Sequence, residues 1–343
     1  VADGAAILQY LHTLPATRTF VLYPTTDYQV AYLSSQRANL PGNCLTLFPK
    51  QDLVDTLMHK ERFDALCHAS QFPVPATEHV RSSAEIRRVG QHLSFPVIAK
   101  TPLKAYKPGL SKAYILSDND ALIAWYDSVQ HLHQEFVIQE YIPGPDGAVF
   151  FTMQYISANG TLLASFTGRK IRQWRPLSGG TASAEPYYNE FLTNLTYEFF
   201  RKAGFWGIGS MEYKQHAQTG EFHMIEPTVC RTDFQEGVAI ANGVNIPLIA
   251  YQDITGQVVQ PGFQKKNARK AWVHVLHERL SRDWYISQKD LTYFKWLVSL
   301  CHVRSFDAFS FRDPGPCVLT LRKKITNQGR KLFRKISHDK GKY

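Results

Sequence analysis

From residue 5 onward the apolar positions alternate between two periods. Ala5–Leu14 has the spacing of a short helix, and Thr19–Tyr23 (TFVLY) is a continuous apolar run of strand length that ends at Pro24. Asp27–Leu33 reads as a helix, Cys44–Leu47 as a second strand and Gln51–Ser70 as one long amphipathic helix. This alternation predicts a small parallel sheet with helices packed on it. A unit of this kind ordinarily has one more strand before Ala5, so an earlier strand is expected upstream of this numbering. Phe72-Pro-Val-Pro-Ala-Thr closes the unit, because each proline disfavours helix at the residue before it.

A helix at Ser83–Leu93 and the strand Phe95–Lys100 (FPVIAK) come next, then a basic, glycine-containing segment, KAYKPGLSKAYIL. Asp118–Leu132 reads as a helix, and Gln134–Tyr141 as a strand closed by Ile-Pro-Gly-Pro-Asp. Beyond it a period of two dominates: AVFFTMQYIS and TLLASFTGRKIRQW are joined by Asn159-Gly160, a strong hairpin signal. Asn189–Ala203 is helical in pattern, GIGSMEYK and EFHMIEP are strands flanking a turn at Gly220, and Glu236–Tyr251 reads as one helix. After Pro261 come a strand and helix in KKNARKAWVHVLHERLSRDW, then an apolar helix at Asp290–Val303 carrying Tyr293, Phe294, Trp296 and Leu297. The fold class is α/β, with no internal repeat.

Composition changes this picture in a few places. The chain has 343 residues, 44% of them hydrophobic and 13% aromatic, which excludes global disorder and allows two or three domains. Its best uncharged apolar run, around Trp296–Cys301, falls far short of the roughly 18–20 residues that cross a bilayer. The opening VADGAAILQYLH has neither a secretory signal pattern nor an initiator Met, so the numbering is expected to start inside a longer product. Five cysteines, never in CxxC spacing, argue against a disulfide framework and a zinc site and predict a reducing cytoplasm. The net charge of +10 is concentrated: Leu321–Tyr343 holds nine Lys/Arg against one acid, Asp339. With Leu321, Ile325, Leu332, Phe333 and Ile336 among those cations, the tail has the pattern of a basic amphipathic segment suited to an anionic membrane surface. One aromatic before Tyr343 disfavours nucleic acid as the partner. The expected location is cytoplasmic, with peripheral contact at the inner face of the membrane.

Four features carry candidate chemistry, and their order matters more than any one of them. Lys100 ends an apolar strand and is followed by a basic loop carrying Lys104, Lys107, Gly109 and Lys112. A strand-end ammonium beside such a loop can hold phosphate oxygens, although a solvated basic loop would look the same. Gln139-Glu140-Tyr141-Ile142 then runs into Pro143-Gly144-Pro145-Asp146, a strand end able to offer backbone groups to a planar base and a carboxylate to an amine or a ribose. Third, Glu212 and Glu226 lie on two adjacent strands with a short connection. Two carboxylates converging from neighbouring strands suit Mg²⁺ that also bridges nucleotide phosphates; two unrelated edge glutamates are the plain alternative. Fourth, Arg169, Lys170 and Arg172, with Arg231 shortly after Glu226, could fix an anionic substrate through paired N–H donors or merely line a solvated face. No HExxH, GxSxG or P-loop pattern occurs; His131 and His133 lack a partner carboxylate at metal spacing, and nothing beside Cys230 supports a nucleophile.

Taken together, from about Lys60 to Gly256, this ordered set resembles the ATP-grasp superfamily of carboxylate–amine ligases. KERFDALCHASQFPVPAT, beginning at Lys60, looks like the family's leading helix and linker, FPVIAK like its phosphate-binding strand, and Lys104–Lys112 like the flap that closes over the phosphates. The resemblance implies ATP held by Lys60, Lys100, Lys112 and the hinge Gln139, Glu140, Tyr141 and Ile142, with Asp146 near the ribose. It implies Mg²⁺, or Mn²⁺ in its place, on Glu212 and Glu226, and Arg231 near the transferred phosphate or the substrate carboxylate. Lys100, Arg231 and Arg172 are then the catalytic candidates, and Arg169, Lys170, Arg172 and the Gly179–Gly180 turn the substrate-binding ones. The usual Glu-x-Asn-Pro-Arg reads Glu226-Pro227-Thr228-Val229-Cys230-Arg231 here, so Thr228 stands in the metal-ligand place of Asn and the arginine is shifted by one. In this the chain looks most like the ligase-like proteins found with bacterial surface-polysaccharide and amino-acid ligation genes. The implied organisation is an α/β unit at 1–75, a small ATP-grasp lobe at 76–142, a large catalytic lobe at 143–262 and a C-terminal extension at 263–343. The implied reaction joins a carboxylate (an amino acid, sugar acid or conjugate) to an amine through an acyl phosphate, giving ADP and phosphate. A phosphotransferase on the same scaffold and a non-catalytic nucleotide-dependent binding protein are the alternatives.

Overall fold

The computed structural model describes residues 4–100, 113–133, 135–177, 179–309, 313–315 and 318–319. The loop containing Lys104, Lys107, Gly109 and Lys112, together with Ser178 and the basic tail, lies outside the described residues.

The first unit consists of α1 (Gly4–His12), β1 (Phe20–Leu22), α2 (Asp27–Ser35), β2 (Cys44–Thr46), α3 (Gln51–Met58) and α4 (Lys60–Ala69). β1 and β2 pair in parallel, as the βα alternation requires. The single helix expected over Gln51–Ser70 is two, separated by an extended His59. The buried residues explain the break: Val54 and Leu57 set one apolar phase, and Phe63 and Cys67 resume it out of step with a 3.6-residue turn. The break leaves Lys60 at the first position of α4.

Next follow β3 (Thr77–Val80), a four-residue helix α5 (Ser83–Ile86), β4 (Val97–Lys100), β5 (Ala113–Leu116), α6 (Asn119–Val129) and β6 (Phe136–Glu140). The four strands form an antiparallel sheet in the order β3-β6-β4-β5. Val97, Ala99, Phe136 and Ile138 on one face pack against Ile86, Leu122 and Trp125 of the helices, and Asp118 caps α6 by accepting from the N–H of Ala121.

The remaining elements are β7 (Val149–Ile156), β8 (Leu162–Trp174), β9 (Gly180–Pro186), α7 (Glu190–Ala203), β10 (Gly207–Gln215), β11 (Phe222–Val229), α8 (Glu236–Ala241), α9 (Ile246–Ile254), β12 (Gly262–Phe263), β13 (Ala271–Val273), α10 (Val275–Ser287), α11 (Tyr293–Ser299) and β14 (Val303–Phe306). Seven strands run in the order β11-β10-β7-β8-β9-β13-β14, and β12 pairs with β8. Of the expected Gly179–Gly180 turn, Gly180 begins β9, paired antiparallel with β8. Glu236–Tyr251, expected as one helix, divides at Asn242-Gly243, where Gly243 takes φ +90° and Asn245 caps α9.

α7 seals one face of this sheet. Asn189 caps its start, Gly204 ends it at φ +73°, and its buried Phe199 meets Phe63 of α4 and Phe72 edge-on, with ring centroids 5.7 and 5.2 Å apart. One apolar core therefore joins the first unit to the large sheet. At roughly 1.5–3 kcal/mol for each fully buried large side chain, it fixes the first unit, and with it Lys60 at the start of α4, against the large sheet. Gly209 is required on β10: a Cβ there would lie 2.8 Å from the Phe200 ring and 2.9 Å from that of Phe205.

Candidate active site

An open cleft of about 700 Å³, solvent-facing space included, runs between β4 and β6 of the small sheet and β10 and β11 of the large one. On the small-sheet side Lys100 stands at the end of β4, where it donates from Nζ to Oε1 of Gln139 at 3.1 Å. Gln139 in turn donates through Nε2 to the Thr77 hydroxyl at 2.9 Å, so the amide is turned with its oxygen toward the lysine. The strand continues past β6 because the Tyr141 N–H reaches the Pro96 carbonyl, carrying Tyr141 and Ile142 across to the large sheet. The Glu140 carboxylate accepts from the backbone N–H of Ser94 at 3.0 Å. Lys60 enters the same cleft from the start of α4.

The facing wall is built on strand register. Glu212 of β10 lies directly opposite Glu226 of β11, at a register shift immediately before Tyr213. Both line the cleft. Period-two alternation places Ser210, Glu212 and Lys214 on one face of β10, while Met211 and Tyr213 go to the core on the other. Lys170, almost wholly buried on β8, holds its ammonium 2.6 Å from the Glu212 carboxylate. Lys214 donates to the carbonyls of Gly144 and Pro145 at 2.7 and 2.9 Å, tying β10 to the hinge. Burial pushes the Lys214 pKa down to about 8, against the pull of Asp146 and Glu212.

Nine residues singled out from the sequence line this one cleft: Lys60, Lys100, Gln139, Glu140, Tyr141, Ile142, Gly179, Glu212 and Glu226. Others lie elsewhere. The buried Asp146 carboxylate accepts from the N–H and side-chain amide of Gln173 at 2.7 and 2.9 Å and from the N–H of Leu177 at 2.9 Å, and so holds a stretch of cleft wall. Arg172 is buried in an ion pair with Glu278 of α10, its Nε 2.6 Å from the carboxylate, and donates to Ser299 of α11 at 2.8 Å. Arg169 pairs with Glu185 at 2.7 Å and lies over the Tyr187 ring. Arg231 reaches back to Asp27 at the start of α2, also at 2.7 Å. Thr228 sits on β11 opposite Ser210, and Gly180 is exposed at the start of β9. Cys230 is buried, which pushes its thiol pKa up and disfavours the thiolate a nucleophile needs.

Sequence reasoning passed over Lys214, Gln173 and Leu177, all in the cleft wall. Lys214 had a usable signal, since it lies two residues after Glu212 and so on the same strand face. Gln173 and Leu177 owe their positions to Asp146, a contact with no local signature. Among the described residues, no three His, Cys, Asp or Glu side chains converge as a metal cage. Two opposed carboxylates suit a hard cation that takes its other oxygens from water or a bound phosphate.

No protein-family model matches the chain. A comparison with curated proteins likewise returns no match. Solved structures do match. The biotin carboxylase domain of Hydrogenobacter thermophilus 2-oxoglutarate carboxylase, in complex with MgADP, ADP and bicarbonate, aligns with a TM-score of 0.63 at 12% identity, over 78% of this chain and 60% of that one. Campylobacter jejuni biotin carboxylase, as a β-γ-ATP complex, gives 0.61 at 14% identity, with the same 78% and 60% coverage. The ADP complex of an N5-carboxyaminoimidazole ribonucleotide synthetase gives 0.60 at 14% identity, over 84% of this chain and 72% of that one. The chain thus spans about three-fifths of the length of the two carboxylases. The two sheets facing each other across one cleft, and these likenesses, agree with the α/β architecture expected from the sequence: the chain has the ATP-grasp fold.

Proposed function

We propose that the chain is an ATP-dependent, ADP-forming ligase that activates a carboxylate as an acyl phosphate and passes it to an amine. The observation that carries this reading is the register pairing of Glu212 with Glu226 across a cleft from Lys100 and the Gln139–Ile142 strand end. The likeness to structures described as complexes with ADP or an ATP analogue supports a nucleotide in that cleft.

In this reading the nucleotide base lies against the Glu140–Ile142 backbone, and Lys60 and Lys100 hold its phosphate oxygens. Glu212 and Glu226, with Thr228 two residues further along the strand of Glu226, would hold Mg²⁺, which when bound offsets phosphate charge. Gln139 and Lys170 orient the groups they touch: one fixes the Lys100 ammonium, the other the Glu212 carboxylate. The substrate carboxylate attacks the γ-phosphorus and the bond to ADP breaks. An amine then attacks the acyl carbon, inorganic phosphate leaves, and the amine loses a proton. Catalysis is mainly positioning and charge stabilisation, which needs no nucleophilic side chain. The substrate is an amino acid, a sugar acid or a conjugate of one, as in surface-polysaccharide or amino-acid conjugate synthesis. Segments 76–142 and 143–262 act as the small and large lobes, preceded by the unit 1–75 and followed by the extension 263–343.

The test is incubation with ATP, Mg²⁺, hydroxylamine and a panel of amino acids and sugar acids, reading phosphate and hydroxamate together. Hydroxylamine traps acyl phosphates, so the two products should rise in step with one carboxylate. Phosphate transfer to a hydroxyl without hydroxamate would make the protein a kinase on this fold. Nucleotide binding without turnover across the panel would favour a binding protein.

A further inference from the structure

Beyond Glu212 the cleft face of β10 leads to a carboxylate that is built differently from the others. Ser210 lies two residues before Glu212 on that face, directly opposite Thr228 of β11. It is 3% exposed, and its hydroxyl donates to Oδ2 of Asp233 at 2.5 Å. The Gln235 amide donates to the same oxygen at 3.1 Å, and the N–H of Phe234 donates to Oδ1 at 2.7 Å. Thr181 of β9 donates to Oε1 of Gln235 at 3.1 Å, which turns the amide so that its nitrogen faces Asp233. Ser210, Gln235 and Thr181 are all buried, whereas Asp233 keeps partial exposure. The carboxylate is thus fixed by buried donors over a residue that stands roughly 6–7 Å along the strand from Glu212.

Its partners are all neutral. Glu212 is met by Lys170, and Glu278 by Arg172. Among the described residues no Lys, Arg or His pairs with Asp233: Arg231, two residues away, donates instead to Asp27 at 2.7 Å and to the Thr232 carbonyl at 3.1 Å. Three accepted bonds leave one of the roughly four lone-pair sites of the carboxylate for a ligand. Burial, with the charge of Asp233, pushes the Glu236 carboxyl well above the usual carboxylate range, so the charge of this turn rests on Asp233. A fixed carboxylate without a counter-ion attracts a cation and repels a second carboxylate or a phosphate. Among the described residues no three carboxylates converge as a metal cage, so Asp233 does not share one metal position with Glu212 and Glu226. Of the two partners in a carboxylate–amine ligation, only the amine brings a positive charge at its reacting end.

Within the ligase reading above, on which this rests, we propose that Asp233 receives the acceptor ammonium and takes from it the proton that must leave before the nitrogen can attack. One N–H bond of the ammonium breaks and its proton passes to the Asp233 carboxylate. The freed electron pair attacks the acyl carbon. The C–O bond to phosphate then breaks, the second proton passes to the departing phosphate, and Asp233 returns its own proton to water. Ser210 and Gln235 are positioning residues, since they act by holding the carboxylate.

The test sets two nucleophiles against the same acyl phosphate, using the full chain, ATP, Mg²⁺ and the acid that gives hydroxamate in the wild type. Hydroxylamine is neutral at neutral pH and needs no base; methylamine is protonated there and does. Asp233→Asn should keep hydroxamate formation within about two-fold of wild type and lower methylamide formation about a hundredfold or more. That deficit should shrink as pH rises toward the amine's own pKa, where water supplies the free amine. Ser210→Ala leaves the charge in place and removes one of its three holds, so it should give a smaller loss of the same kind, and it serves if Asp233→Asn does not fold. Equal loss of both products in a variant that melts like the wild type would make Asp233 only a builder of the turn before α8. Full methylamide formation by Asp233→Asn, or hydroxamate without methylamide in the wild type, would overturn the assignment and leave the ligase reading standing. No hydroxamate from the wild type with any acid would overturn the ligase reading itself, and the role of Asp233 with it.

Discussion

On β8 two cations separated only by Ile171 have opposite surroundings. Lys170 points to the cleft end of the large sheet, where its ammonium meets Glu212, a carboxylate that still lines open space. Arg172 points to the C-terminal end, where Glu278, Ser299 and the covering helices bury it. Register shifts on β8 around Arg172 separate the two directions. The difference shows that a carboxylate near a cation has two uses. Where one member keeps solvent access the pair can take part in ligand binding; where both are sealed, each offsets the charge of the other in the interior. At the C-terminal end the sealed pair anchors α10 and α11, and at the cleft end the open pair presents a carboxylate opposite Glu226.

The sharpest way to break this comparison is to change the two ends separately. Glu226→Gln keeps the size of the side chain and removes its charge from the cleft. It should lower ATP-dependent turnover by about a hundredfold or more while leaving the melting temperature within a few degrees of wild type. Steady-state phosphate release and a thermal melt check both; turnover at the wild-type rate would remove Glu226 from the metal site.

Arg172→Met should do the reverse. It strands the Glu278 carboxylate in the interior and should cost about 3–5 kcal/mol of stability, measured by urea unfolding. Pairing it with Glu278→Leu should restore most of that loss, because no charge is then left buried. Retained stability with loss of turnover would return Arg172 to the substrate-binding role expected from the sequence.

A smaller effect is expected at Asp146, which sits between the two ends. Asp146→Ala leaves the buried N–H of Gln173 and the part-buried N–H of Leu177 without their acceptor and should cost about 2 kcal/mol. Because those residues line the cleft, nucleotide affinity measured by calorimetry should fall as well. Unchanged affinity would separate this stretch of wall from the binding site.

What could be read from the sequence follows the same division. Lys100 and Gln139–Ile142 end short, continuously apolar strands and Glu212 and Glu226 interrupt apolar ones, signals that a sequence carries, and the topology that joins those strands brings all of them around one cleft. The arginines were illegible because their fates depend on distant partners: Arg172 meets Glu278 across 106 residues and Arg231 meets Asp27 across 204. No local pattern distinguishes a cation that will be paired from one that will face a ligand. The helix breaks were of two kinds. Asn242-Gly243 announced the division of Glu236–Tyr251, whereas His59 left only a slip in apolar phase between Leu57 and Phe63. α11 was legible as an apolar helix but not as an exposed one, since burial depends on what packs over it.

Lys214 offers the finest test, because it lies in the cleft and yet is held like a structural cation. Its ammonium is fixed by two hinge carbonyls, and burial depresses its pKa to about 8 from the ordinary lysine value. In the unfolded chain the same group stays protonated to higher pH. Between about pH 8 and the ordinary lysine value the unfolded state therefore holds more protons than the folded one, and this residue makes stability rise with pH, with a slope of at most about 1.4 kcal/mol per pH unit. Below pH 8 both states are protonated and the contribution is flat. Lys214→Met should remove the slope, so the difference in unfolding free energy between wild type and variant should change across that window and stay constant from pH 6 to about 7.5. The variant also frees the Gly144 and Pro145 carbonyls, and a constant offset of about 1 kcal/mol is expected at neutral pH. A pH-independent difference throughout would mean that the ammonium is already solvated, and that Lys214 belongs with the cleft cations able to turn toward a ligand rather than with the sealed ones.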